Sequence, residues 1–261
     1  QPMDRDLASQ LAVRLSDRHF GIGGDGIILI EKGQNADFEM VMYNADGSRG
    51  AMCGNGIRCV AKYVYDHKLT DKTTVTIASM GAVKTIDIQV QDGVAVGASV
   101  DMGAPILDPA AIPVVTDCKP PVDVPITVHD TVYKMTCVSM GNPHAVVFID
   151  RSPREFPLEQ VGPLFEHHPR FPDRTNTEFA FVQDRQNIEM RVWERGSGET
   201  LACGTGACAT AVAAILGGYV DHRVTVHLLG GDLQISWSGK AEDSVMMTGP
   251  ATTVFSGKID L

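Results

Sequence analysis

Clusters of basic residues are missing from this chain. Lys and Arg number 22 against 32 Asp and Glu, a formal net charge of −10. A phosphate backbone is bound through clustered Lys and Arg, so nucleic acid is excluded as a partner. Long apolar runs are missing too. The longest, around 207–216, falls short of the ~20 residues a membrane-crossing helix needs, so no membrane partner is expected. The opening stretch QPMDRDLASQ is charged and does not read as a signal peptide. The six cysteines contain no C-x-x-C pair, which argues against a structural zinc site. No lysine pattern of the pyridoxal type stands out, so neither metal nor cofactor is expected. Six cysteines in 261 residues are too few and too scattered for a disulfide framework. Cys59, Cys118, Cys137 and Cys208 are expected to be small buried hydrophobes.

What is present is a duplication. Trp193 to Gly206 reads WERGSGETLACGTG and runs into ACATAVAAIL; Tyr43 to Gly56 reads YNADGSRGAMCGNG and runs into another helix-forming stretch. With a shift of 150 positions, Cys53 falls on Cys203, Gly54 on Gly204, Gly56 on Gly206, Ala61 on Ala211 and Gly81 on Gly231. A unit of strand, Gly-rich loop, Cys, helix and strand therefore occurs twice. The period is far too long for a solenoid. Two pseudo-equivalent domains, each presenting one cysteine, are expected.

Leu7, Leu11 and Leu15 mark one face of a helix over 4–15. The glycines at 21–26 precede the strand 27–30, whereas a dinucleotide fingerprint needs a strand before it and a helix after. Further strands are expected at 38–43, 75–77, 83–90 and 94–100. Ile86, Ile88 and Val90 alternate with Asp87 and Gln89, the pattern of a sheet with one wet face. A loop spans 44–52 and precedes the Cys53 helix, with Ile57, Val60, Ala61 and Val64 on one face. The proline-rich stretch 103–121 reads as the crossing between halves. The second half should hold strands at 124–128, 131–139, 145–149, 179–182, 188–193, 224–228 and 233–237, and a helix at 158–167. The tail 252–261 has a strand-like start. The Cys203 helix is apolar on every face and should be surrounded by structure. The expected fold class is α/β (α+β): two pseudo-symmetric domains, each a mostly antiparallel or mixed sheet wrapped around a central helix. The first covers 1–103, with 250–261 returning to it; the second covers 104–249.

A helix N-terminus stabilises an anion by about 0.3–1 kcal/mol and can lower a cysteine pKa from about 8.5 to between ~3.5 and ~7.5. Flanking glycines let backbone N–H groups approach a carboxylate or phosphate. Two such domains facing one another would supply two bases on either side of one anion. That suits removal of a proton next to a carboxylate and its return on the opposite face, inverting the stereocentre. Two other readings stay open on the loops alone: a redox disulfide between the two thiols, and a purely structural role in two buried helices.

Asn44-Ala45-Asp46-Gly47-Ser48, then after four residues Cys53-Gly54-Asn55-Gly56-Ile57-Arg58, resembles the signature of the diaminopimelate epimerases. Glu194-Arg195-Gly196, Gly198-Glu199-Thr200, Ala202-Cys203-Gly204-Thr205-Gly206, Gly141-Asn142-Pro143-His144 and Thr175-Asn176-Thr177-Glu178 match it as well. Proline racemase and the phenazine-biosynthesis isomerases share that fold but lack this set of asparagines with Arg195. The resemblance implies that Cys53 and Cys203 are the acid–base pair. It implies that the N–H groups of Gly54, Asn55, Gly204 and Thr205 hold the reacting carboxylate, with His144 and Glu194 near the reacting amino group. Asn44, Asn142, Asn176 and Arg195 would read the distal end of the substrate. Arg58 fits the signature but lies along the helix, so a structural role is expected. The resemblance further implies a cytoplasmic, cofactor-free homodimer that takes the small molecule diaminopimelate. The family begins with a strand and a Gly-Asn-Asp-Phe-like motif whose asparagine contacts substrate; nothing like it precedes Leu7.

Overall fold

A computed structural model describes residues 3–50 and 53–259. The chain divides into two compact units: one runs to Val100 and takes up the chain again at Pro250, the other is Asp101–Gly249.

In the first unit, α1 (Arg5–Ser16) is capped by the Asp4 carboxylate, which accepts from the N–H groups of Asp6 and Leu7. Its buried face is Ala8, Leu11 and Ala12, while Leu7 is 42% exposed. The leucine spacing found that face in part, Leu11 being buried and Leu15 half-buried, while the alanines allow close approach to the strands. Those strands are β1 (Gly26–Lys32) and β2 (Phe38–Asn44), which pair antiparallel. After α2 (Gly54–Asp66) come β3 (Thr74–Ser79), parallel to β2, then β4 (Ala82–Gln91) and β5 (Val94–Asp101), each antiparallel to the strand before it. Ile57, Val60, Ala61 and Val64 of α2 are all buried. The β4 alternation holds at Ile86 and Ile88 but ends at Val90, where the pairing register shifts and the side chain is exposed. Ala51 and Met52, which end the loop expected over 44–52, lie outside the described residues. So do Asp260 and Leu261. No strand forms over 252–259; Ala251 instead donates its N–H to the Val96 carbonyl at 3.2 Å.

The second unit opens with 101–123, whose Ile112 and Val114 join its core. Then follow β6 (Val124–Val128), β7 (Thr131–Ser139), β8 (Pro143–Phe148), α3 (Leu158–Glu166), β9 (Asn176–Asp184), β10 (Asn187–Glu194) and β11 (Gly198–Thr200). After α4 (Gly204–Leu216) come β12 (Arg223–Leu228), β13 (Gly231–Ser236) and β14 (Met246–Pro250). Sheet order is β14-β13-β12-β10-β9-β8-β7-β6, with β11 on the β10 margin. Pairing is parallel at β10–β12 and β8–β9 and antiparallel elsewhere. α4 packs against β7, β8, β9, β10, β12 and β13 and is buried from Gly206 to Ala214. Its many alanines let strands close in on every side.

β8 begins at Pro143, not at 145, and β9 at Asn176, not at 179; β11 and β14 were not foreseen. In β8, β9 and β11 polar residues that read as loop are in fact strand. Cys59 and Cys118 are exposed, against expectation, while Cys137 and Cys208 are buried. Among the described residues no helix is long and apolar enough to cross a membrane.

The duplication extends to pairing register. Ile27↔Tyr43 and Ile28↔Met42 join β1 to β2; Thr177↔Trp193 and Glu178↔Val192 join β9 to β10. Each partner is displaced by the same 150 positions that separate Cys53 from Cys203.

Candidate active site

Each unit builds one helix N-terminus capped by sulfur. In α2, Cys53 is the N-cap in extended conformation (φ −117°, ψ 113°), and its Sγ accepts from the Gly56 N–H at 3.3 Å. In α4, Cys203 does the same (φ −126°, ψ 109°), accepting from the Gly206 N–H at 3.3 Å. Sulfur thus takes the place usually filled by a Ser or Asp oxygen. Helix geometry leaves the N–H groups of Gly54 and Asn55, and of Gly204 and Thr205, without intrahelical acceptors.

Around α2, buried Arg58 donates to the Gly54 carbonyl at 2.9 Å, to Asn55 Oδ1 at 3.0 Å and to the Pro250 carbonyl at 3.2 Å. It braces the first turn from behind, as its expected structural role requires. Asn44, half-buried at the end of β2, donates from Nδ2 to Ser48 Oγ at 2.9 Å and shapes the turn before the cysteine.

Around α4 the setting is more charged. Cys203 is 6% exposed, and its Sγ lies 3.5 Å from Thr205 Oγ1. Glu194, at the end of β10, accepts from the Thr200 hydroxyl. Burial pushes the Glu194 carboxyl up, and the Glu178 charge adds to this against the pull of Thr200, His144 and Cys203. His144 on β8 stands opposite Asn176 on β9, so the two motifs lie side by side on parallel strands. His144 is buried, with Nδ1 2.7 Å from Glu178 Oε1 and Nε2 3.0 Å from Asn142 Oδ1. Asn176 is buried as well. Its Nδ2 donates to the Pro143 carbonyl at 2.8 Å, and its Oδ1 accepts from the Arg195 N–H at 2.9 Å. The Arg195 guanidinium donates to the Asp173 carbonyl at 2.9 Å. The second unit therefore brings Asn142, His144, Asn176, Glu194, Arg195 and Cys203 onto neighbouring strand ends and one helix cap.

A helix N-terminus can lower a cysteine thiol, but the Cys203 thiol is pushed up. Burial is the main cause; the Glu194 and Glu178 carboxylates push the same way, and the Thr205 contact and Gly206 N–H only partly oppose them. A helix dipole is worth about 0.3–1 kcal/mol. Desolvating a thiolate beside two carboxylates outweighs it.

Two carboxylates were missed as site-building residues. Glu178 was quoted within a motif without a role; carrying the 150-residue shift back to β1 would have set it against Ile28. Glu166 of α3 accepts from Trp193 Nε1 at 2.8 Å and from the Gly196 N–H at 2.9 Å, and so holds the β10–β11 hairpin. Nothing in its local sequence signals this.

Two units, each with a sulfur-capped helix against a mixed sheet, form a fold shared with solved racemases and epimerases. The chain superposes on a probable proline racemase from Agrobacterium radiobacter with a TM-score of 0.71 at 15% identity, covering 97% of this chain and 81% of that one. It superposes on a hydroxyproline epimerase from Agrobacterium vitis with a TM-score of 0.66 at 16% identity, covering 94% and 76%. Sequence narrows the class. The family model for diaminopimelate epimerase matches residues 1–107 and 136–254. A diaminopimelate epimerase of Methanococcus maripaludis is 53% identical over 253 residues, covering 97% of this chain and 91% of the relative. One from Acetivibrio thermocellus is 52% identical over 253 residues, covering 97% and 90%. The chain belongs to the diaminopimelate epimerase family.

Proposed function

We propose that this protein interconverts LL- and meso-diaminopimelate by a two-thiol proton transfer that uses neither metal nor pyridoxal. The observation that carries the reading is the repeated device: two helix N-termini of the same backbone geometry, each capped by a cysteine sulfur and preceded by a glycine-rich loop. A thiolate takes the α-proton, forming an S–H bond as the C–H bond breaks and leaving the electron pair on carbon. The other thiol gives its proton to the opposite face of that carbon and becomes the thiolate. The pair ends with its proton exchanged between partners, so the reverse turnover is already set up. The N–H groups of Gly54, Asn55, Gly204 and Thr205 hold the carboxylate, where negative charge grows. His144 and Glu194 attend the reacting amino group. Asn44, Asn142, Asn176 and Arg195 read the distal amino and carboxylate groups, Arg195 by paired N–H donors. The enzyme serves lysine and peptidoglycan precursor synthesis as a cytoplasmic homodimer.

The test is to follow LL-diaminopimelate by NMR in deuterated water after exhaustive chelation of the protein. Deuterium should enter the α position as meso product forms. Inversion that returns only with added metal or pyridoxal phosphate would reject the cofactor-free reading.

A further inference from the structure

The two sulfur-capped helices share a backbone geometry but not a neighbour. A Cβ placed on Gly56 would meet Ile28 Cδ1 at 2.7 Å and Cys53 Sγ at 3.6 Å. A Cβ placed on Gly206 would meet Glu178 Oε1 at 2.7 Å and Cys203 Sγ at 3.2 Å. Ile28 and Glu178 are the same position in the duplicated strand, facing Met42 and Val192 in the same register. One unit thus sets a hydrocarbon, and the other a carboxylate, against the missing methyl that also borders the thiol.

The carboxylate is only half satisfied. Glu178 has no solvent exposure, and only its Oε1 is engaged, by His144. Its Oε2 is buried with no hydrogen-bond partner among the described residues. A half-satisfied buried carboxylate opposes folding, and the same strand position accepts isoleucine in the first unit. Its influence on the neighbouring sulfur offers a reason for the charge.

We propose that Glu178 is a positioning residue that makes the two thiols unequal: its carboxylate, set against Gly206 and steadied by His144, holds Cys203 as the proton-donating thiol in the resting protein and leaves Cys53 as the base. This rests on the two-thiol reading above and adds the order of roles. Cys53 loses its proton to solvent, takes the α-proton of the first substrate isomer, and Cys203 supplies the proton on the other face. The charges around Cys203 support the assignment. Glu194 on β10 acts in the same direction as Glu178. His144 on β8 lies 2.7 Å from Glu178 Oε1. Cys137 on β7 is pushed up to about 12 by burial, so it stays neutral. The first turn of α4 contributes no acidic side chain.

The test is a pH titration of the full-length protein carrying 13Cβ-labelled cysteine, read by NMR without substrate, with single-cysteine variants assigning the resonances. In the parent, the Cys203 signal should become thiolate only after that of Cys53. In Glu178→Gln, the thiolate-to-thiol ratio at Cys203 should rise about tenfold at a given pH, the effect of removing a nearby charge in a partly shielded site. The Cys53 curve should stay in place. Equal shifts of both curves, or none, would overturn the proposal. If Glu178→Gln does not fold, the order of titration in the parent still decides, because Cys203 titrating first contradicts it. Neither readout needs turnover. A protein that fails to invert diaminopimelate yet shows this order loses the proposed function alone; one that inverts it with the order reversed loses only this inference.

Discussion

Gly56 and Gly206 are the third residues of their helices, and what each would strike differs in kind. An added methyl on Gly56 runs into the tip of Ile28, which can rotate away. On Gly206 it runs into a carboxylate oxygen already fixed by His144, and into the Cys203 sulfur. Gly206→Ala should therefore cost about 1–3 kcal/mol, as overpacking does, and displace the sulfur enough to lower inversion at least tenfold. Gly56→Ala should cost clearly less on both counts. Urea denaturation and initial inversion rates would show this, and equal losses would mean the two caps are not differently packed. Arg195 makes a second case. Its backbone N–H is held by Asn176, independently of its side chain. Arg195→Met should keep the hairpin in place while removing the distal carboxylate reader. The kcat/KM preference for diaminopimelate over shorter amino acids should then collapse, and a mutant retaining that preference would place distal recognition elsewhere. At this scale the sequence singled out both cysteines but not the burial and the Glu178 charge that push the Cys203 thiol up. The helix dipole is local and can be read from the residues around Cys203, whereas Glu178 and Glu194 reach it from separate strands.

Elements with a strong periodic signal were legible, and those that begin with polar residues were not. α2 and α4 show an apolar run behind a cap. β8 and β9 open on Pro143-His144 and Asn176-Thr177-Glu178, whose polar side chains are buried, His144 on Glu178 and Asn176 on the Pro143 carbonyl, so they looked like loop. The β10–β11 hairpin was hidden for another reason: it is held from outside by Glu166 of α3, through Trp193 Nε1 and the Gly196 N–H, with Arg174 at 3.1 Å. Burial pushes the Glu166 carboxyl up, but the hydrogen bonds from Trp193 and Gly196, with the charges of His167 and Arg174, prevail and hold it below its ordinary value. Its contribution to stability is therefore full above the unfolded value, about 4.3. It is lost as the pH falls below that and through the lower folded value. Hydrogen exchange at Trp193–Thr200 should accelerate over that acid range before the α4 amides do. In Glu166→Gln the hairpin should already exchange faster at neutral pH, because one donor loses its acceptor at a cost of about 1–3 kcal/mol. Unchanged exchange in that variant would show that the hairpin is held by its own turn.

Across the whole molecule, the repeat is what made the architecture readable, since a 150-residue shift aligns both helices and the β1–β2 and β9–β10 registers. A shared backbone does not imply shared chemistry. The first unit sets Ile28 at the Gly56 turn of its cysteine-capped helix; the second sets Glu178 at the matching Gly206 turn, with Glu194 also acting on its cysteine. One thiolate and one thiol are what a stereocentre needs if a proton is to leave one face and return to the other. Removing either should therefore stop inversion without stopping every proton transfer. Cys53→Ala leaves Cys203, and Cys203→Ala leaves Cys53, each able to exchange the α-proton of the one isomer it faces. NMR in deuterated water, started separately from LL and from meso substrate, should show no epimerisation in either variant. Each should show slow exchange of one isomer, and the preferred isomer should be opposite in the two. The Cys53→Ala protein should be the slower exchanger, because its remaining sulfur sits beside Glu178 and must first lose its proton. If either single variant inverted substrate at close to the parent rate, the other sulfur would be no proton carrier, and the repeat would be structural only.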